Sequence, residues 1–363
     1  MFPPEQIFFG LEARRTNECN QHSLCQPLGA SPEKLVQNNF TEAGGNPIMP
    51  PMKFSHREEE RDGRRLDVVT DEESGLRIIV SRLGAELVSL ARRNEEGEWV
   101  GFLHRDNDLR TPAKGWANHA TVMGYFLHRL KNERSLYRGR EIRGGTHSFL
   151  RHKLFRDVST RLETEEGVLT CRISPNEIEP DEYPLQVSLA LSYTLRGGRL
   201  EVGFHFHNQE PELAAHLEFG LHPGFVATSF DSFQLEMPPG RYLRWLSPEN
   251  YLTGETIEID HPGGEMPFER AQLPGSFILE FVEVPERILV YRDPPSGREV
   301  ALDFSEAPYF TLWSDGGAFL CVEPCWGLTD RHEQRPFEEK DGIQRIAPGA
   351  ELRVAFTIAP VER

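Results

Sequence analysis

The stretch that decides the fold is residues 187–206, which read VSLALSYTL, then RGGR, then LEVGFHF. Apolar and polar residues alternate on both sides of the central glycines, which is the period of a half-buried β-strand. Short apolar runs with this period recur along the chain, each bounded by Gly, Pro, Asn, Asp or Ser: 66–70, 76–81, 86–91, 168–173, 187–195, 200–206, 277–282, 288–292, 300–304, 310–313, 319–322 and 352–358. Since almost no helical period is present, the sequence predicts an all-β protein folded as a large antiparallel β-sandwich.

Residues 1–62 differ in composition from the rest of the chain. They hold Pro-Pro pairs at 3–4 and 50–51, a Gly-Gly pair at 44–45 and the charged run HREEERD at 56–62. Such a segment buries little apolar surface by itself. We therefore expect an N-terminal extension over 1–62, irregular or partly disordered, followed by a single sandwich domain over 63–363.

The composition argues against several classes of partner. Asp and Glu number 57 against 40 Lys and Arg, a formal charge of −17 at pH 7, and so acidic a surface repels phosphate backbones and anionic lipid headgroups. No apolar stretch approaches the roughly 18 residues of a membrane span. The five cysteines form neither a C-x-x-C pair nor an even framework, which favours free thiols in a reducing compartment. We expect a cytoplasmic protein that binds neither nucleic acid nor membrane, and the oligomeric state stays open.

Two histidine-containing turns are candidate sites. In THSFLRH (146–152), a preceding Gly-Gly turn presents His147 and Arg151. In FGLHPGF (219–225), Pro223 favours an extended conformation at His222, and the flanking glycines leave the imidazole room to face a ligand. The alternative for each histidine is an ordinary position at the end of a strand.

A third candidate is Glu323 in FLCVEPCWG (319–327), where an acid ends an apolar strand. Burying a carboxylate is costly unless it is paired or functional, so Glu323 is the best candidate for a general base with a raised pKa. The alternative is a carboxylate that reaches solvent at the turn. Cys321 and Cys325 flank it without a metal-ligand spacing, which favours buried structural cysteines.

The fourth candidate, HFHNQE (205–210), places two imidazoles on one face of a strand and faintly resembles the metal motif of cupins. Glu210 follows the histidines too closely for that motif, so we expect His205 and His207 to face solvent, opposite Phe204 and Phe206. The chain carries no Walker A, dinucleotide-binding or zinc-hydrolase motif. We expect neither a metal nor a cofactor.

Several segments, taken in order, resemble the galactose mutarotase-like superfamily, the aldose 1-epimerases, and most closely its shorter bacterial epimerase-like branch. YFLHRLKN (125–132) resembles the family's Gly-Arg-Leu-Lys-Asn element, HSFLR (147–151) its His-Gly-Phe-Ala-Arg motif, GLHPGF (220–225) its Gly-x-His-Pro-x-Phe motif, and CVEPCWG (321–327) its Cys-Ile-Glu-Pro-Trp-x-Gly motif. The resemblance covers about residues 66–360. Ser148 stands where the family has Gly, and His128 where it has a small or polar residue.

The resemblance implies an enzyme, an isomerase that interconverts the α and β anomers of a free hexose by acid/base ring opening. It assigns Glu323 as the base, His222 as the acid and His147 as a third catalytic residue near the ring oxygen. Arg129 and Arg151 are expected to bind the substrate, and Trp326, with Trp116 as a second candidate, to stack on the sugar. We expect the segments that carry these residues to meet in one open cleft.

Three alternatives stay open at this point. A hexose-6-phosphate epimerase of the same superfamily would need a basic pocket, for which the sequence offers Arg129, Lys131, Arg134 and Arg151. A sandwich that binds carbohydrate without turnover is disfavoured by the presence of both His222 and Glu323. A cupin-like metal enzyme is disfavoured by the spacing around His205.

Overall fold

The chain forms β-strands joined by turns and short 3-10 helices in this computed structural model, which describes residues 53–267 and 269–362. The described residues belong to one compact unit. The strands are β1 Phe54–Arg61, β2 Arg64–Asp71, β3 Leu76–Ser81, β4 Leu87–Arg93, β5 Trp99–Gly101, β6 Ala120–Tyr125, β7 Arg134–Tyr137, β8 Arg140–Arg143, β9 Asp157–Leu162, β10 Gly167–Ile173, β11 Val187–Arg196, β12 Arg199–Asn208, β13 Ala215–Val226, β14 Gln234–Met237, β15 Gly240–Trp245, β16 Thr256–His261, β17 Gly264–Glu265, β18 Phe277–Glu283, β19 Ile288–Asp293, β20 Arg298–Asp303, β21 Tyr309–Trp313, β22 Phe319–Trp326, β23 Gln344–Ile346 and β24 Glu351–Glu362. The 3-10 helices are Lys131–Glu133, Leu150–His152, Pro175–Glu177, Pro248–Asn250, Arg270–Gly275, Pro294–Ser296 and Phe337–Glu339.

Antiparallel sheets organise these strands and confirm the predicted all-β sandwich. A nine-stranded sheet has the order β17-β14-β19-β20-β24-β12-β11-β10-β9, and an eight-stranded sheet has the order β16-β15-β18-β21-β22-β13-β23 with β6 added beside β13. Strands β1 to β5 form a further sheet in sequence order, and β7 pairs with β8. Within the described residues, no helix is long and apolar enough to span a membrane.

Aromatic side chains fill the core between the two large sheets. Phe204 and Phe206 on β12 lie with ring centroids 5.1 and 4.6 Å from Phe219 on β13. Phe219 in turn stacks on Trp326 of β22 at 5.1 Å. Since successive side chains of a strand point to opposite faces, β13 and β22 direct their alternate residues away from this core. Those outward positions include His222 and Glu323.

The prediction of an irregular N-terminal extension through residue 62 is wrong for residues 54–61. They form β1, which pairs antiparallel with β2 over its whole length. Phe54 is buried, whereas most of the later residues are at least partly exposed, and Glu59 forms ion pairs with Arg57 and Arg61. A charged edge strand of this kind lacks the apolar alternation that marks other strands. Residues 1–52 lie outside the described residues.

Strand β22 runs further than the sequence predicts, from the expected 319–322 to Trp326, and β13 is not among the predicted strands. Apolar residues alternate along β13 at Leu217, Phe219 and Leu221, but Pro223 interrupts the pattern. Proline donates no backbone hydrogen bond, so it normally argues against a central strand. Here the regular pairing of β13 with β22 is interrupted between Gly220 and Gly224, in the part of the two strands that holds Pro223 and Pro324. Glu323 therefore lies within the sheet rather than at its end.

A buried ion network ties the connections around the outward face of this sheet. Lys340 Nζ lies 2.8 Å from Asp330 Oδ1 and 3.4 Å from Glu218 Oε2. The Glu218 carboxylate also accepts hydrogen bonds from the backbone N–H groups of Leu127 and Leu328, at 3.1 and 3.3 Å. Asp330 accepts from Lys131 N–H at 2.8 Å. The network thus holds the segment that follows β6 against the segment that follows β22.

We expect Lys340→Met to destabilise the protein by about 3–5 kcal/mol, because it leaves two buried carboxylates without their cation. Lys114→Met, at an exposed position, is the matched control and is expected to stay within about 0.5 kcal/mol of wild type. Denaturant unfolding measures both. Equal free energies of unfolding for the two variants would show that the network contributes no stability.

Candidate active site

The centre of the site is an imidazole–carboxylate pair on two neighbouring strands. Gly220 pairs with Cys325 and Gly224 with Cys321, which brings His222 of β13 opposite Glu323 of β22. Their side chains meet with Nε2 of His222 3.2 Å from Oε1 of Glu323. Both residues are buried, at 4% and 1% exposure. The distance lies within the hydrogen-bond range of about 2.6–3.2 Å that acid–base groups need.

Burial dominates the electrostatics of this pair. It raises the pKa of Glu323 well above its usual range, and it lowers the pKa of His222 to about 3, with the nearby His128 as a smaller cause. Both shifts disfavour charge, so the resting pair holds its proton in an uncharged arrangement. Oε2 of Glu323 and Nδ1 of His222 are buried without a hydrogen-bond partner within the described part of the chain. These free polar atoms border a cavity in which a polar ligand can satisfy them.

His147 reaches the same cavity from the turn after β8. Its ring lies edge-on to His222 with centroids 5.0 Å apart. Its backbone N–H donates to the His128 carbonyl at 2.8 Å. His147 and Ser148 have φ of 63° and 66°, a left-handed conformation that glycine adopts most easily. Ser148 therefore keeps a turn geometry suited to the glycine of the family motif. Burial, followed by His222, lowers the pKa of His147 well below its usual value.

Two arginines line the cavity with different surroundings. Arg129 is exposed, whereas Arg151 is half-buried, and burial lowers the pKa of the Arg151 guanidinium. The side-chain oxygen of Asn118, in the orientation that satisfies its neighbours, accepts from Arg151 at 3.2 Å and from the Trp116 indole at 3.3 Å. Asn118 thereby links a cation and an aromatic ring on one wall.

Two tryptophans, Trp116 and Trp313, line the cavity, and Trp326 does not. Trp116 stacks on His222 at 4.8 Å, and Trp313 meets His222 edge-on at 5.6 Å. Trp326 is buried in the core, and its indole N–H donates to the Glu306 carbonyl. Trp326 is three residues from Glu323 on the same strand, so the two side chains point to opposite faces. Contrary to expectation, Trp326 does not line this cavity, whereas Trp116 does.

The cavity brings together the other predicted residues, Arg129, His147, Arg151, His222 and Glu323. Its volume is about 280 Å³. Sequence reasoning missed other lining residues, among them Asn118, Trp313, Ser247, Asn250, Ser276 and Thr329. Trp116, already the second candidate for stacking on the sugar, could have pointed to the neighbouring Asn118 in the polar stretch GWANH (115–119), because a large aromatic residue in a loop needs a partner. The hydroxyl and amide residues carry no such signal.

His128 is a further buried residue that lines the cavity. Its Nε2 lies 3.4 Å from the Thr311 hydroxyl and 3.9 Å from Sγ of Cys325. Burial lowers the pKa of His128 to about 3. Glu323 belongs to two groups of side chains whose ligand atoms are close enough together to hold a metal ion. One group adds His128 and Cys325, and the other adds His222 and Cys321. The spacing of the cysteines along the chain gave no indication of this.

The fourth candidate segment lies elsewhere. His205 and His207 are half-buried on the outer face of β12, opposite the buried Phe204 and Phe206, and they line a separate groove. His205 Nε2 lies 3.2 Å from Glu351 Oε2. Glu210 instead accepts a hydrogen bond from Gln186 N–H. The cupin-like ligand set is therefore not assembled by these residues.

A family model described as aldose 1-epimerase matches residues 67–359. Protein LacX (plasmid) of Lactococcus lactis subsp. lactis is 24% identical over 250 residues, which cover 64% of this chain and 82% of that protein. A galactose mutarotase related enzyme from Lactobacillus acidophilus has a TM-score of 0.69 at 20% identity, covering 85% of this chain and 98% of that one.

The galactose 1-epimerase of Lactobacillus acidophilus NCFM has a TM-score of 0.63 at 11% identity, with 86% of this chain and 99% of that one covered. At these identities the solved structures show a shared fold. The family model goes further, because it spans most of the chain, from β2 to β24. The chain belongs to the aldose 1-epimerase family.

Proposed function

We propose that this protein is an aldose 1-epimerase that interconverts the α and β anomers of a free hexose. The observation that carries the proposal is the contact of 3.2 Å between His222 and Glu323 at the wall of an open cavity. The anomeric hydroxyl and the ring oxygen of an aldose are bonded to the same carbon. One acid and one base at hydrogen-bond distance from each other can therefore serve both oxygens.

In the ring-opening step, the Glu323 carboxylate takes the proton of the anomeric hydroxyl while protonated His222 donates its proton to the ring oxygen. The bond between C1 and the ring oxygen breaks, and C1 becomes an aldehyde. Rotation about C1–C2 presents the other face of the carbonyl, and reversal of the two transfers closes the ring. Burial favours the resting proton on Glu323, so this proton moves across the 3.2 Å contact to His222 before ring opening and leaves the carboxylate and the imidazolium that the step uses.

The neighbouring residues would bind and orient the sugar. His147, which has a buried Nδ1 without a partner in the described structure, is positioned to hydrogen-bond near the ring oxygen. Arg129 and Arg151 offer donors to sugar hydroxyls. Trp116 provides a flat apolar surface beside His222 for one face of the ring. No step requires a metal or a nucleotide.

A neutral hexose fits the charges of the cavity better than a hexose 6-phosphate. Of the four basic residues that the sequence offered for a phosphate, only Arg129 and Arg151 line the described cavity. Lys131 donates to the His332 carbonyl, and Arg134 borders a separate surface depression. The formal charge of −17 also disfavours anions at long range.

We expect Glu323→Gln and His222→Asn each to lower the rate of anomer interconversion by about 10²–10⁴-fold, because each replaces a proton-transfer group with an amide that neither accepts nor donates the proton. Polarimetry of freshly dissolved α-glucose and α-galactose measures the rate. His205→Asn and Glu351→Gln are matched controls, since that pair has the same 3.2 Å contact outside the cavity. Wild-type rates in both cavity variants would refute the assigned proton transfers.

We expect activity to survive exhaustive chelation, because the reaction described above uses only side chains of this chain. The measurement compares the polarimetric rate before and after dialysis against a chelator, with total metal determined in the same samples. A rate that falls with the metal content and returns on adding metal would favour a metal-dependent mechanism instead.

We expect glucose to be used at least as efficiently as glucose 6-phosphate, at both low and high salt. The comparison needs both salt conditions because surface charge is screened beyond about 8–10 Å, whereas an arginine contact acts at hydrogen-bond range. Arg151→Ala should then affect both sugars similarly. A much higher efficiency on the phosphate, lost selectively in Arg151→Ala, would assign the protein as a hexose-6-phosphate epimerase.

A further inference from the structure

One side of Glu323 carries three different metal-binding groups. Glu323 and Cys325 are separated by one residue on β22, so both side chains lie on the outward face of the sheet. His128 approaches from the connection after β6 and adds an imidazole. The ligand atoms of the three side chains all lie within 4.8 Å of one another. All three residues are buried.

The distances suit a tetrahedral ion. Ligand nitrogen, oxygen and sulfur atoms around zinc lie about 3.3–3.7 Å from each other, given the usual bond lengths. Nε2 of His128 and Sγ of Cys325 are already 3.9 Å apart. A dication bound by one thiolate and one carboxylate is formally neutral, which suits a buried position. Nitrogen and sulfur ligands select zinc and similar ions over magnesium or calcium.

One carboxylate oxygen of Glu323 is available as a metal ligand. Oε1 contacts His222, whereas Oε2 is buried and has no hydrogen-bond partner among the described residues. His222 and Cys321 form a competing group around the same carboxylate. His222 is already engaged with Glu323 and stacked by Trp116. In contrast, His128 and Cys325 contact each other directly and have no part in the proposed reaction.

We propose that His128, Glu323 and Cys325 form an inhibitory binding site for Zn²⁺ or a similar thiophilic divalent ion, with the fourth position open to the cavity. A metal held there occupies the carboxylate that takes the anomeric proton, so turnover stops while the ion is bound. The inhibition rests on the proposed function, whereas the binding of the ion does not. Chelation would relieve inhibition and leave the metal-free enzyme active.

Binding is tested on the full chain with Co²⁺ as a spectroscopic probe. We expect a thiolate-to-cobalt charge-transfer band and the visible bands of tetrahedral Co²⁺ in the wild type. Both should be lost in Cys325→Ser and weakened in His128→Asn. Cys171→Ser, which removes another buried thiol, and the double variant Cys19→Ser/Cys25→Ser should keep them. Loss of the bands in Cys321→Ser or in the double variant, but not in Cys325→Ser, would overturn the assignment.

Inhibition is tested by polarimetry with added ZnCl₂. Cys325→Ser is expected to keep most of the metal-free rate and to need at least ~10-fold more Zn²⁺ for half-inhibition than wild type. Thermal melting without metal checks that the variant folds. Cobalt bands that depend on Cys325 in a protein without epimerase activity would support the metal site and refute the proposed function. Equal zinc sensitivity of wild type and Cys325→Ser would overturn the inhibitory role.

Discussion

The antiparallel pairing of β13 with β22 is the constraint on which the site depends. Its register brings His222 across from Glu323, and the alternation of side chains then separates two environments on one sheet. Phe219 and Trp326 fill the sandwich core on one face, while the imidazole and the carboxylate face the cavity on the other. A slip of one residue would exchange these faces and bury the imidazole and the carboxylate in the core.

Burying polar groups on the outward face costs free energy, and the structure contains two kinds of such groups. Lys340 compensates the carboxylates of Glu218 and Asp330, and those carboxylates bind backbone N–H groups of the segments that border the cavity. Oε2 of Glu323 and Nδ1 of His147 and His222 instead keep no partner among the described residues. The satisfied network supports structure, whereas the unsatisfied atoms are available to a ligand.

The environment of Glu323 suits both of the chemistries proposed for it. Oε1 contacts the His222 imidazole, and a carboxylate oxygen of Glu323 lies within 4.8 Å of the ligand atoms of His128 and Cys325. A buried carboxylate placed between two such pairs is suited to proton transfer when the cavity holds a sugar. The same donors suit a soft divalent ion when one is present.

The sequence by itself determined the all-β class and the positions of strands such as β3 and β11, because alternation is a property of each strand alone. It also marked His222 and Glu323, since a polar residue beside proline in an apolar run is conspicuous. Only the tertiary structure decided that Trp116 and not Trp326 borders the cavity, that residues 54–61 form a strand, and that His128 lies beside Cys325. Those outcomes depend on which strands pair, in which register, and which loops cover which face. Such contacts join residues far apart in the chain, and no local pattern records them.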